Sequence, residues 1–111
     1  MKTMKVMEAL REAMCIRMRE DQDVLLMGED VGRFGGCFGV SAGMFDEFGP
    51  ERVRDTPISE GAIIGAATGS AAAGLRPIAE IMFSDFLTVA MDQLVNNAAF
   101  MHYMFGEKIE L

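Results

Sequence analysis

Apolar and polar positions alternate along the chain in blocks that predict helices and strands in turn. From Val6 to Met14 apolar residues recur at helical spacing opposite charged ones, which predicts a first helix over about residues 4–20, with Thr3 as its N-cap. Residues 24–27 are apolar without alternation. A strand of this kind is buried on both faces, as in a parallel sheet that helices cover.

The remaining pattern continues this alternation to the end of the chain. The predicted elements are a glycine-rich loop (32–39), a short helix (41–48), a strand (52–56), a helix (61–74), a strand (78–82), a long helix (85–104, C-cap at Gly106) and the start of a fourth strand (108–111). Three strands alternating with helices predict an α/β fold, a three-layer, doubly wound, mostly parallel sheet. Because the fourth strand begins without a partner element, we expect the domain to be incomplete at the C-terminus.

Gly61, Gly65 and Gly69 repeat every four residues, so one face of their helix has no side chains. The same spacing occurs in membrane helix dimers, but the apolar stretch is only about fifteen residues and a membrane span needs roughly 20. Glycine also weakens a helix interior. We therefore expect this face to pack closely against another element of the domain or against a partner subunit.

The composition argues against nucleic-acid binding, membrane-surface binding and a metal site. Ten Lys and Arg against seventeen Asp and Glu give a net charge of −7, which disfavours binding to nucleic acid or to a membrane surface. Cys15, Cys37 and His102 lack the spacing of a metal site, so no metal ligand is expected. The N-terminus lacks the apolar core of a signal peptide, which predicts a cytoplasmic location.

The glycine-rich stretches do not match the usual nucleotide-binding motifs. A Walker loop needs a lysine after its glycines, and neither stretch contains one. A dinucleotide fingerprint would follow the first strand, but that strand ends in Gly28-Glu29-Asp30, whose two carboxylates would repel a pyrophosphate. The residues alone therefore support no self-contained phosphate site.

Several motifs occur in a specific order. They are Gly28-Glu29-Asp30-Val31-Gly32, the stretch 48–60 that ends in Pro57-Ile58-Ser59-Glu60, the stretch 74–86, and Met91-Asp92-Gln93. Together they resemble the β subunit of the thiamine-diphosphate-dependent E1 component of 2-oxoacid dehydrogenase complexes, a group that includes the pyruvate, acetoin and branched-chain enzymes. The resemblance implies that residues 1–111 are the N-terminal portion of a transketolase-like pyrimidine-binding domain, with the rest of that domain and a C-terminal domain absent.

The resemblance also implies a cofactor and partners. The chain would bind the aminopyrimidine of thiamine diphosphate, while an E1 α subunit would hold the diphosphate and Mg²⁺, in an α2β2 assembly. A 2-oxoacid or acetoin would be the substrate, and a lipoyl-bearing E2 would accept the acyl group. The sequence of residues 83–86 resembles that of the pyruvate and acetoin members more than that of the branched-chain members. Because family members are much longer, this chain alone is expected to be inactive.

The resemblance assigns four site residues. Glu60 would bond the pyrimidine N1′ and so help the 4′-amino group to take the proton of the thiazolium C2. Phe86 would stack on the pyrimidine ring, and Ile58 and Met82 would line the pocket. Each has a purely structural alternative: Glu60 as a first-turn acid favoured by the helix dipole after a Ser59 cap, and the other three as core residues.

Further acids allow a second hypothesis. Glu29 and Asp92 would join Glu60 in a partly buried acidic network toward a second active site of the assembly, although exposed charge is the simpler interpretation. Two alternative functions stay open. The chain could belong to another transketolase-like enzyme, which would carry both cofactor-binding domains on one chain, or it could be a non-catalytic fragment that only binds the α subunit.

Overall fold

The computed structural model describes residues 3–109. Helices and strands follow each other in the predicted order. Their bounds are α1 Val6–Glu20, β1 Val24–Glu29, α2 Met44–Phe48, β2 Val53–Thr56, α3 Glu60–Ala72, β3 Arg76–Glu80, a 3₁₀ segment Ser84–Ala90, a π-helical segment Gln93–Ala99 and α4 Phe100–Met104.

The three strands form one parallel sheet in the order β2-β1-β3. Every residue of the central strand β1 is buried. One face of the sheet packs in a cluster with α1 and α2: Cys15, Met18, Val24, Leu26, Val31, Met44 and Val53. The other face packs against α3: Leu25, Met27, Ile63 and Ala67. Helices thus cover both faces, and the predicted α/β fold class is confirmed.

The start of α1 differs from the prediction. Lys5, not Thr3, is the N-cap residue. The carboxylate of Glu8 accepts a hydrogen bond of 2.9 Å from the backbone N–H of Lys5. A first-turn glutamate therefore bonds the N–H of the N-cap residue, and the helix begins without the threonine cap that the sequence predicts.

Strand β3 begins at Arg76, two residues before the predicted start. Arg76 pairs with Val24 at the beginning of β1, and its N–H donates to the carbonyl of Asp23 at 2.9 Å. Pairing with the central strand therefore extends β3 into a stretch that the local pattern assigned to a turn.

The predicted long helix 85–104 is helical throughout but changes its winding. It is 3₁₀ over Ser84–Ala90, π-helical over Gln93–Ala99 and α-helical over Phe100–Met104. Gly106, with a φ of 65°, follows its end. Residues 108 and 109 are not in a strand, so the predicted fourth strand does not begin there, and its last two residues lie outside the described residues.

The glycine face of α3 packs on this last helical segment. A Cβ atom at Gly61 would lie 3.8 Å from the carbonyl oxygen of Val89, and one at Gly65 would lie 3.0 Å from Oε1 of Gln93. At Gly69 it would meet nothing within 4 Å among the described residues. Close packing is therefore confirmed for the first two glycines only.

Over residues 3–109, none of the helices is both long and apolar enough to cross a membrane.

Candidate functional site

The carboxyl ends of the three strands bring polar side chains to one edge of the sheet. Strand β1 ends at Glu29, β2 at Thr56 and β3 at Glu80. Open α/β sheets bind their ligands at this edge. The candidate site therefore lies at the edge of the sheet where Glu29 and Glu80 end their strands.

The strand register decides which of these side chains share a face. Side chains alternate along a strand, so Glu29 points to the same face as Met27, the face that α3 covers. Thr56 is the register partner of Glu29 in the parallel pair and points to the same face. Because α3 begins at Glu60 beyond this edge, Glu29, Thr56 and Glu60 belong to one end of one face.

Glu60 is half-buried in the first turn of α3. The preceding Ser59 does not cap the helix with its side chain. Its hydroxyl instead donates to the carbonyl of Pro57 at 3.0 Å. The free N–H groups of the first turn give this end of α3 a partial positive charge, which favours a carboxylate there.

Phe86 lies near the start of the 3₁₀ segment and is 40% exposed. Its ring meets that of Phe83 edge to face, with centroids 5.5 Å apart and an interplanar angle of 74°. Met82 is half-buried between β3 and this segment. Ile58 is 84% exposed and so lies outside the core that residues 3–109 form.

The acids differ in environment. Glu29 is only 8% exposed, whereas Asp92 is exposed and accepts hydrogen bonds from Asn96 Nδ2 (2.8 Å) and Gln93 Nε2 (3.0 Å). Both donors belong to the helical stretch that carries Asp92. The network that would join Glu29, Asp92 and Glu60 stays a prediction.

Glu80 faces the opposite side of the sheet, under the glycine-rich loop. It is the register partner of Gly28, whose missing side chain leaves room for Val31. A Cβ atom at Gly36 of the loop would lie 3.4 Å from Oε1 of Glu80. Burial raises the pKa of the Glu80 carboxyl. This acid therefore belongs to the loop face and not to the face of Glu60.

Comparison with known proteins identifies the family. The family described as transketolase, pyrimidine binding domain, matches residues 2–110. The chain belongs to this pyrimidine-binding domain family. It is 47% identical to the acetoin:2,6-dichlorophenolindophenol oxidoreductase subunit beta of Bacillus subtilis, over 94% of this chain and 34% of that protein.

Two further relatives are pyruvate dehydrogenase E1 component subunits beta. The protein of Rickettsia bellii is 49% identical over 94% of this chain and 32% of its own length. The mitochondrial protein of Saccharomyces cerevisiae is 49% identical over 95% of this chain and 29% of its own length. The chain thus spans about a third of the length of the curated relatives that it matches.

Thr56 is a further residue of this edge, and the sequence pattern did not indicate it as a site residue. Its hydroxyl oxygen is buried and has no hydrogen-bond partner among the described residues. A buried hydroxyl without a partner costs free energy, so such a group calls for an explanation. The residue stands inside the motif that ends in Glu60, but only the register shows that it lies beside Glu29.

Replacement of Thr56 by valine is expected to leave the free energy of unfolding unchanged or to raise it by up to about 1 kcal/mol, because it removes an unpaired buried hydroxyl at nearly constant volume. Urea unfolding followed by far-UV circular dichroism measures the change. Thr56→Ser, which keeps the hydroxyl, is the matched control. A loss of more than about 1 kcal/mol in Thr56→Val would show that the hydroxyl has a partner in the folded protein.

Proposed function

We propose that this chain forms the aminopyrimidine half of a thiamine diphosphate site in an E1 component that acts on a 2-oxoacid or acetoin. The main support is the position of Glu60, half-buried at the N-terminus of α3 and at the carboxyl edge of the parallel sheet. The names of the relatives support the same activity, since they are E1 β subunits of pyruvate dehydrogenases and an acetoin oxidoreductase subunit.

The residues at this edge fit an aminopyrimidine ring. The first turn of α3 meets the segment that carries Phe86, because a Cβ atom at Gly61 would lie 3.8 Å from the carbonyl oxygen of Val89. A carboxyl group and a partly exposed aromatic ring therefore come from two elements in contact. A planar heterocycle with a basic ring nitrogen needs these two groups, an acid for the nitrogen and a flat apolar face for the ring.

Each residue has a defined task in this proposal. Bound thiamine diphosphate supplies the carbon nucleophile that attacks the substrate carbonyl. Glu60 holds a proton between its carboxyl and the pyrimidine N1′, and its partial burial strengthens that hydrogen bond by limiting competition from water. Phe86 orients the ring by stacking, and Met82 and Ile58 provide apolar contacts, Ile58 from its exposed position.

The partners of this function follow from the same proposal. The diphosphate and Mg²⁺ would be held by an E1 α subunit, in an α2β2 assembly, and a lipoyl-bearing E2 would take the acyl group. Over residues 3–109, no group of three or more His, Cys, Asp or Glu side chains is arranged to hold a metal ion.

The test is cofactor binding by the chain in complex with an E1 α subunit, measured by titration calorimetry. Thiamine diphosphate is compared with an analogue that has a C–H group in place of N1′. A hydrogen bond that involves a charged group contributes about 1.5–3 kcal/mol, so we expect the analogue to bind at least about tenfold more weakly.

Glu60→Ala should remove this discrimination, because the analogue and the variant delete the two partners of one bond. Equal affinity of the unmodified complex for both compounds would contradict the proposal. Association with the α subunit without any cofactor binding would identify the chain as a non-catalytic binding module.

A further inference from the structure

Three aromatic rings from two distant segments form a continuous row at the carboxyl edge. Phe38 meets Phe83 edge to face, with centroids 5.4 Å apart and an interplanar angle of 80°. Phe83 meets Phe86 in the same way at 5.5 Å and 74°. These are the distances and angles that the quadrupoles of aromatic rings favour. We name Phe38, Phe83 and Phe86 the aromatic row.

The first ring of the row stands on a well-fixed loop. Gly36 and Gly39, on either side of Phe38, both have positive φ values, and the N–H of Gly39 donates to the carbonyl of Gly36 at 3.0 Å. Arg11 of α1 donates to the carbonyls of Gly39 (2.6 Å) and Val40 (3.1 Å). The backbone therefore presents the ring of Phe38 in a defined place.

The other two rings are coupled through the backbone as well. The N–H of Phe86 donates to the carbonyl of Phe83 at 3.0 Å, where the 3₁₀ segment begins. The edge-to-face contact and this backbone bond together hold Phe83 and Phe86 next to each other. Phe38 is 53% exposed, so the row lies at the surface of the edge, where core packing does not fix the rings.

We propose that Phe38 is a positioning residue that holds the ring of Phe86 in place through Phe83. The inference rests on the proposed function, because it takes Phe86 as the ring that stacks on the aminopyrimidine. Without Phe38, the Phe83 and Phe86 rings gain rotamer freedom, and cofactor binding must then restrict it. The glycine-rich loop would therefore influence cofactor affinity without touching the cofactor.

The experiment uses Phe38→Leu in the complex with an E1 α subunit and measures the dissociation constant of thiamine diphosphate. We expect the dissociation constant to rise about 2- to 10-fold, the size of one aromatic pair interaction. The near-UV circular dichroism of the cofactor-free complex should also weaken in the phenylalanine region, because the row loses its fixed geometry.

Two variants on the same loop serve as controls. Phe38→Tyr keeps the ring and should restore both the affinity and the spectrum. Phe34→Leu removes a ring that is 74% exposed and belongs to no aromatic pair among the described residues, and it should change neither. Phe83→Leu breaks the row at its centre and should reproduce the effect of Phe38→Leu.

The outcomes separate this inference from the proposed function. If Phe86→Leu weakens cofactor binding but Phe38→Leu and Phe83→Leu match Phe34→Leu, the positioning role is overturned and the proposed site remains. If Phe86→Leu itself leaves the affinity unchanged, stacking by Phe86 fails and the inference fails with it. A Phe38→Leu variant that no longer binds the α subunit would also overturn the inference, because the row would then be a subunit contact.

Discussion

Under the proposed function, replacement of Glu60 by glutamine is expected to lower the turnover number of the complex with an E1 α subunit by about 10²- to 10⁴-fold, the usual contribution of a positioned acid–base group. Glutamine keeps the size and hydrogen-bonding capacity of the side chain but cannot exchange a proton with N1′. The loss should therefore appear in kcat at saturating cofactor, measured with pyruvate or acetoin as substrate and an artificial electron acceptor.

Glu8→Gln is the matched control for this variant. Glu8 is also a first-turn glutamate, in α1, so its replacement tests the loss of helix-dipole stabilisation away from the site. It should leave turnover within about twofold, since a first-turn charge contributes only about 0.3–1 kcal/mol to helix stability. Equal effects of the two variants would reduce Glu60 to a helix-stabilising residue.

Arg52→Met is expected to lower the free energy of unfolding by about 2–4 kcal/mol. The guanidinium of Arg52 donates to the carbonyls of Met18 (2.7 Å), Asp21 (2.7 Å) and Val24 (2.6 Å), which lie at the end of α1 and the start of β1. It also lies over the ring of Phe48. Methionine keeps the apolar stem but leaves these carbonyls without their charged donor.

Arg54→Met on the same strand is the control for Arg52→Met. Arg54 is exposed and its guanidinium bonds only to its near neighbour Glu51 among the described residues, so its loss should cost no more than about 0.5 kcal/mol. Thermal unfolding by circular dichroism distinguishes the two, with a decrease in Tm of roughly 10–25 °C expected for Arg52→Met. Similar melting temperatures would show that water replaces the guanidinium at little cost.

The fold was predictable because its strongest signals are local. The apolar run at 24–27 predicted a strand buried on both faces, and β1 is that strand. Element boundaries were less predictable, because they depend on partners distant in sequence. Because Arg76 pairs with Val24, β3 begins two residues earlier than predicted. Helix α1 begins at Val6, after the predicted start near residue 4, and the Glu8 carboxylate bonds the N–H of its N-cap residue Lys5.

The location of Glu60 between a strand and a helix was predictable, but the arrangement of the side chains around it was not. The motif that ends in Glu60 lies between the predicted strand 52–56 and the predicted helix 61–74, and the role of Glu60 stays a prediction. The placement of Thr56 beside Glu29 follows from strand register, and the contact of Phe38 with Phe83 follows from the path of a long loop. Neither feature leaves a periodic signal in the sequence, because each arises from pairing between distant segments.

The missing side chain at Gly65 has a consequence for how the sequence can change over time. A Cβ atom there would lie 3.0 Å from Oε1 of Gln93, so an alanine would require the end of this flexible side chain to shift by a few tenths of an ångström, and a bulkier residue would have to displace it. Gln93 belongs to the helical segment that follows the one carrying Phe86. We therefore expect bulky residues at position 65 to be disfavoured during evolution, although Gly65 is not among the residues of the proposed cofactor site.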